Sequence, residues 1–322
     1  MPRILTPTPE VVNEAAEVLR ASGVVAFPTE TVYGLGAATR DTAALDRVYA
    51  MKGRPADNPL IAHVLDAEGA RDLAAVWSDA ADALAARFWP GPLTLVVPRA
   101  DDVPDQATAG RPTIAVRAPN HDVARALLAA LGGPISAPSA NRSGHVSATN
   151  ARDVASDFPD ETDLIVLDAG ATQLGLESTV LDMTVSPPRI LRPGTIGEPA
   201  LRSVLDAVDG TRIDDQDASP GTSPRHYAPV RPCEMVDPDE LAARLTTGGP
   251  SFAVLCFDAS WVPSPHRPIE MPQGAGNYAR RLYPALREAE RMSVAGILVE
   301  TPPASNAIWL AILDRLHRAT AS

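Results

Sequence analysis

The chain is poor in cysteine. Cys233 and Cys256 are the only two among 322 residues, and no histidine pair stands near them. That is not a metal-ligand pattern, so two reduced thiols and no protein-bound metal are expected. No apolar run approaches the roughly 18 residues that a membrane helix needs. The opening Met1-Pro2-Arg3-Ile4-Leu5-Thr6-Pro7 holds no apolar signal region. These absences predict a cytoplasmic protein with no membrane partner. Positive charge is also short, with 28 basic against 40 acidic residues and a net charge of −12. Nucleic-acid binding through the whole surface is thereby disfavoured, while a local basic cleft is not. Three fingerprints are missing: Gly-x-x-x-x-Gly-Lys-Ser/Thr, Gly-x-Ser-x-Gly and Gly-x-Gly-x-x-Gly. Their absence argues against a P-loop, a serine-hydrolase elbow and a dinucleotide fold. There are no internal repeats and no long low-complexity tract.

Proline is abundant, at 32 residues, about twice the usual ~5% share. Pro28, Pro55, Pro59, Pro90, Pro92, Pro119, Pro134 and Pro138 fall at element ends, next to apolar strands, and read as rigid turns. With 45% hydrophobic residues, the chain can form a packed core and is long enough for two domains. Thr8 and Pro9 open a helix whose apolar face is Val12, Ala15, Ala16 and Leu19, ending at Gly23. Further helices are read at 41–51, 67–76, 78–88 and 123–131. Strands are read at 24–27, 60–64, 93–97, 113–117, 164–167, 178–181 and 189–191. Strands and helices intermix without strict alternation, which predicts an α/β domain with a twisted mixed sheet over 1–205. Asp206, Asp209, Asp214, Asp215 and Asp217 then lead into Ser-Pro-Gly-Thr-Ser-Pro at 219–224, an acidic, turn-rich linker placed at 206–230. Strand, helix, strand and helix at 252–257, 278–291, 296–299 and 307–318 give 231–322 as a smaller Rossmann-like α/β domain.

Several polar stretches could carry chemistry. Pro-Thr-Glu-Thr-Val-Tyr-Gly-Leu-Gly at 28–36 follows a buried strand. Its hydroxyls could orient a small polar ligand, or the stretch is only a turn. Lys52 and Arg54 stand two apart on a Gly/Pro-shaped loop and could face one polyphosphate, or they could cap a helix C-terminus. His63 lies inside the next strand, either as a core histidine or as a ligand contact. Ser-Ala-Pro-Ser-Ala-Asn at 136–141 and Ser147 offer small residues and hydrogen-bonding groups. Arg117 ends an otherwise apolar strand, where an arginine needs an anionic partner. Glu-Ser-Thr at 177–179 precedes one strand and Arg-Pro-Gly at 192–194 closes another. Arg-His-Tyr-Ala-Pro at 225–229 follows the linker and could fold over a site as a lid.

Taken together and in this order, these six motifs resemble those of the L-threonylcarbamoyladenylate synthases, in the long form with a YrdC-like domain, a linker and a smaller C-terminal domain. The resemblance implies synthesis of L-threonylcarbamoyl-AMP from L-threonine, bicarbonate and ATP, with release of pyrophosphate. The product would feed the threonylcarbamoyl modification of the tRNA adenosine next to the anticodon, by hand-over to a tRNA threonylcarbamoyl transferase machinery. It also implies Mg²⁺ arriving with ATP, and leaves room for a weak tRNA contact. By motif position, Thr31, His63, Arg117, Ala137 (through its backbone) and Ser178 correspond to threonine contacts. Lys52, Arg54, Asn58, Thr113, Ser139, Ser147, Arg192 and Tyr227 correspond to ATP contacts, with Lys52 and Arg54 nearest the catalysis. The family's linker often carries a methionine and a bulkier or basic residue after Pro-Gly; here it reads Thr222-Ser223-Pro224. Two other readings compete: a YrdC-like module that binds RNA without chemistry, and another carbamoyl-handling or phosphosugar enzyme on a similar fold.

Overall fold

The structure is a computed structural model in which residues 1–210, 226–245 and 249–321 are described. Arg225, the Ser-Pro-Gly-Thr-Ser-Pro stretch, and Asp214, Asp215 and Asp217 lie outside the described residues.

Elements follow in chain order: β1 (Arg3–Leu5), α1 (Pro9–Arg20), β2 (Val25–Pro28), β3 (Tyr33–Ala38), α2 (Thr42–Lys52), β4 (Ile61–His63), α3 (Ala67–Arg71), α4 (Asp79–Phe88), β5 (Leu93–Pro98), α5 (Asp105–Thr108), β6 (Thr113–Arg117), α6 (Asp122–Leu131), β7 (Ile135–Ala137), α7 (Ala151–Asp157), β8 (Ile165–Leu167), β9 (Thr179–Asp182), β10 (Arg189–Arg192) and α8 (Glu198–Arg202). The second unit has β11 (Cys233–Val236), α9 (Pro238–Leu245), β12 (Phe252–Cys256), β13 (Arg267–Glu270), α10 (Ala275–Arg291), β14 (Gly296–Glu300) and α11 (Ala307–Ala319).

The first unit is one ten-stranded sheet in the order β1-β8-β2-β3-β7-β4-β6-β5-β9-β10. Pairing is mixed: β4 runs parallel to β6 and β5 to β9, while β3, β7 and β4 alternate in direction. Helix α1 forms because the Thr8 side chain caps Val11 N and Pro9 pre-sets its first turn. Its apolar stripe of Val12, Ala15, Ala16 and Leu19 packs with Leu127 and Leu128 of α6 on one face of the sheet, over Phe27 and Ile165. Helices α2, α4 and α7 cover the opposite face through Leu45, Leu84 and Val154. The sheet also carries a small apolar patch made of Ile61, Val96, Ala115, Val180 and Leu191. This patch borders the candidate site.

The second unit is a four-stranded parallel sheet in the order β11-β14-β12-β13, with α10 and α11 on one face and α9 on the other. Two of its strands, β11 and β13, are additional to the expected strand-helix-strand-helix pattern. The helix read at 67–76 stops at Arg71: Leu73 N and Ala74 N bond three residues back, to Ala70 O and Arg71 O, so the chain tightens out of the α-helix. The two units share a core. Val32, Val146 and Leu176 of the first pack in one cluster with Tyr227, Leu282 and Tyr283. Among the described residues, no helix is long and apolar enough to cross a membrane.

Candidate active site

Helix α2 ends at Lys52, and Gly53 takes the left-handed conformation with φ 62°, returning its N–H to Ala50 O. Only glycine takes this turn cheaply. The turn brings Lys52 and Arg54 to the same side of the chain. Lys52 Nζ donates to Ser139 O at 2.6 Å and to Asn141 O. Arg54 donates through Nε to Asn58 O (2.9 Å) and through Nη2 to Asn58 Oδ1 (2.6 Å) and Pro59 O (2.7 Å). Burial, aided by the neighbouring Arg54 charge, holds the Lys52 ammonium well below its ordinary pKa. Burial likewise brings Arg54 down to about 10, so it stays charged at neutral pH.

The loop between β2 and β3 is held by Thr29. Its hydroxyl accepts from Thr31 N and Val32 N and donates to Val32 O at 2.6 Å. This presents Thr31 Oγ1 to Arg117 Nη1 at 2.9 Å. Arg117 also donates from Nε to Gly91 O and pairs through Nη2 with Glu30 Oε1 at 2.7 Å. That ion pair is the anionic partner which a buried strand-end arginine requires. On the parallel neighbour β4, His63 lies opposite Arg117. His63 packs edge-on against Phe27 and places Nδ1 3.3 Å from Ile135 O. Burial, with the Arg117 charge, lowers its pKa to about 3, so the ring is neutral at pH 7. It is a core histidine and also faces the cavity.

At the other wall, Ser178 Oγ is 2.7 Å from Thr94 Oγ1, and Arg192 Nη2 donates to Ser178 O (3.0 Å) and Ser178 Oγ (3.1 Å). Ser147 Oγ donates to Glu177 Oε1 at 2.7 Å. Residues His226 and Tyr227 return from the linker to this wall, where Ala228 N donates to Gly144 O. Tyr227 holds a positive φ of 59°, and its hydroxyl and His226 Nδ1 have no hydrogen-bond partner among the described residues. Burial, reinforced by the Arg54 charge, brings His226 down to about 3.

Thr31, Arg54, His63, Arg117, Ala137, Ser139, Ser178, Arg192 and Tyr227 line one cavity, together with Thr29, Glu177 and His226. Lys52 lies just behind Ser139, Asn58 behind Arg54, and Ser147 behind Glu177. Thr113 begins β6 opposite Pro98, at the far end of the strand from Arg117, and does not line the cavity. Free space within the cavity is about 40 Å³, far below the roughly 300–1,000 Å³ of small-molecule sites. Its cations are Arg54, Arg117 and Arg192, with Lys52 behind. The cavity's carboxylate, Glu177, is held by Arg315 of α11 at 2.9 Å, and Glu30, between the lining residues Thr29 and Thr31, is held by Arg117. Such a site suits an anionic ligand beside a small polar one. Sequence reading assigned no role to Glu30, Glu177 or His226, although all three stand inside the quoted motifs. It also assigned no role to Tyr283 and Arg315, which reach Glu177 from more than 100 residues away.

The mixed α/β sheet thus carries at its strand ends a cation-rich, hydroxyl-lined pocket of the kind that suits a phosphate-bearing substrate. A model of the Sua5–YciO–YrdC family, described as telomere recombination, matches residues 17–194. A model described as the threonylcarbamoyl-AMP synthase C-terminal domain matches 196–321. The chain is 40% identical to the threonylcarbamoyl-AMP synthase of Pyrococcus abyssi over 95% of its own length and 93% of that protein's. It is 39% identical to the one of Bacillus subtilis over 96% and 92%. The crystal structure of P. abyssi Sua5 complexed with L-threonine superposes with a TM-score of 0.90 at 37% identity, covering 99% of this chain and 97% of that one. The chain belongs to the Sua5–YciO–YrdC family, in the form that also carries the threonylcarbamoyl-AMP synthase C-terminal domain.

Proposed function

We propose that the protein condenses L-threonine, bicarbonate and ATP into L-threonylcarbamoyl-AMP and releases pyrophosphate, with 1–205 as the catalytic unit, 206–230 as a lid and 231–322 as its support. The observation that carries this reading is the shared cavity. A neutral His63, Thr31, Arg117, Ala137 and Ser178 line it together with Arg54, Ser139, Arg192 and Tyr227. Threonine would occupy the first group and the triphosphate the second, with Lys52, Asn58 and Ser147 supporting it from behind. Thr113 is retained as an ATP contact on the resemblance alone.

Bicarbonate gives carbon dioxide and hydroxide; the neutral threonine amine attacks the carbon dioxide carbon to form a carbamate, and the proton it sheds joins the hydroxide as water. A carbamate oxygen then attacks the α-phosphorus, and the bond to pyrophosphate breaks. Negative charge gathers on phosphate oxygens, so fixed cations at Lys52, Arg54 and Arg192 lower the barrier. Holding the reactants together contributes a further ~7–11 kcal/mol when their orientation is good. Mg²⁺ is taken to come with ATP. The cavity's own carboxylate, Glu177, is already occupied by Arg315, Tyr283 and Ser147. Among the described residues no group of three or more His, Cys, Asp or Glu is placed to hold a metal. No step is therefore assigned to a protein-held ion. The product would pass to a tRNA threonylcarbamoyl transferase, with at most a weak tRNA contact here.

The test is pyrophosphate release with threonine and bicarbonate omitted in turn. Release should stop in both cases. Release that ignores threonine would overturn the reading.

A further inference from the structure

We propose that Arg315 and Tyr283, from the second unit, are positioning residues that keep the Glu177 carboxylate from reorienting Arg192, and so hold the Arg192 guanidinium in the orientation that meets the ATP phosphates. The proposal rests on the reading of Arg192 as an ATP contact.

Glu177 is buried, and three side chains converge on its carboxylate. Ser147 Oγ donates at 2.7 Å, Tyr283 Oη at 2.9 Å and Arg315 Nε at 2.9 Å. Two of the three come from the second unit. Arg315 is fully buried itself. Its remaining donors go to Pro193 O (2.9 Å), Asp314 Oδ2 (2.6 Å) and Glu177 O (3.5 Å). One guanidinium thus ties the entry of β9 to the exit of β10, the two strand ends that carry Ser178 and Arg192. The same guanidinium lies over the Tyr227 ring at 5.3 Å, and Tyr227 stacks on Tyr283 with centroids 5.8 Å apart.

The charges decide what this arrangement does. Burial alone would raise the Glu177 pKa; the Arg315 and Arg192 charges outweigh it and bring it down to about 2. Two cations therefore compete for one buried carboxylate. Arg315 is fixed by geometry, hydrogen-bonds it directly, and shares Asp314 with Arg318. Arg192 instead directs Nε and Nη2 to Ser178 O, at 3.1 and 3.0 Å. With Arg315 gone, a buried, ionised Glu177 would draw Arg192, the other cation whose charge already acts on it, because a buried charge that loses its ion pair is among the costliest states in a protein. Its guanidinium would then be turned from the cavity toward Glu177. Tyr283 acts in the same sense, supplying a neutral donor that satisfies Glu177 without an extra charge.

Binding of α,β-methylene-ATP, which cannot release pyrophosphate, tests this apart from the reaction. Arg315→Met should weaken binding about tenfold, while L-threonine binding by calorimetry stays within twofold. Glu177→Gln in the Arg315→Met background removes the competing charge and should recover most of the lost affinity. Equal loss of ATP-analogue and threonine affinity, or no recovery in the double variant, would overturn the proposal. If Arg315→Met does not fold, Tyr283→Phe decides. It should cost about threefold in analogue affinity with threonine binding unchanged, and unchanged analogue affinity would reject the idea. Failure of the threonine-dependent reaction in the unaltered protein would instead remove the proposed function, and leaves the charge competition readable in the binding comparison.

Discussion

Lys52→Met separates the electrostatic role of Lys52 from its structural one. The side chain is 2% exposed and its ammonium is held by Ser139 O and Asn141 O. Methionine fills a similar volume without charge. Two hydrogen bonds from a charged donor contribute about 1.5–3 kcal/mol each. Burying the ammonium costs several kcal/mol, in line with its depressed pKa. These nearly cancel, so the variant should lose no more than about 2 kcal/mol of stability. For a domain of this size that is about 4–8 °C in Tm. Losing one preorganised donor near a developing oxyanion costs about 10²–10³ in kcat. The expected result is a folded protein in which threonine-dependent pyrophosphate release falls at least a hundredfold, with threonine binding changed less than threefold. Calorimetry for threonine, thermal denaturation and a coupled pyrophosphate assay read the three quantities. Unchanged turnover would show that Lys52 is only a helix-end support. A fall in Tm of 15 °C or more would show that the ion is mainly structural and that the cancellation is wrong.

The remaining predictions address stability and packing. His63 and His226 are neutral in the folded state, with pKa values lowered to about 3. Between pH 6.5 and 3 the unfolded chain binds more protons, so stability falls as pH falls, by about 1.4 kcal/mol per pH unit per histidine at the steepest. Urea midpoints at pH 7, 6 and 5 check this, and His63→Gln should flatten the slope; an unaltered slope would contradict the assignment. Glu177, lowered from 4.5 to about 2, adds to the loss only below about pH 4.5. Arg287→Met removes the paired bonds to Asp157, at 3.0 and 2.7 Å, and should cost about 3 kcal/mol because it leaves the half-buried Asp157 carboxylate without its arginine, while Asp153 keeps Arg291. A change below 1 kcal/mol by urea denaturation would mean that water already reaches it. Gly194→Ala would set its Cβ 2.3 Å from Thr179 N and 2.7 Å from Thr179 Oγ1. It should therefore displace the strand that carries Ser178, weakening both threonine and ATP-analogue binding at least tenfold; wild-type affinities would show that the turn gives way freely.

The longer helices and most of the strands were legible in the sequence. Helix α1 announces itself by a Thr8 cap, Pro9 and four apolar residues at helical spacing, and those four are the ones buried. Strand β3 was hidden. Its Gly34 and Gly36 read as a turn, yet they sit in the sheet because neighbouring side chains come too close for anything larger: a Cβ on Gly36 would stand 2.6 Å from Ile135 Cγ2. Strand β13 was missed for a related reason, since Pro268 within it argues against a strand until it is seen at the sheet edge. Within the site, the close placement of Lys52 and Arg54 could be read from their spacing across Gly53, because one turn places both. The partners of Glu177 could not be read, because Arg315 is 138 residues away and nothing local to either residue points to the other.

The Arg287–Asp157 and Arg315–Glu177 pairs bear on what happens when the chain is cut. Joined by one linker, the two units meet at an effective concentration of the order of millimolar. Produced as separate polypeptides at micromolar levels, they would meet roughly a thousandfold less often, and each would carry its half of the buried charges in water. The linker therefore sets how completely the site is assembled at cellular concentrations. A version split at the linker should regain activity with rising concentration of the second piece, along a binding curve.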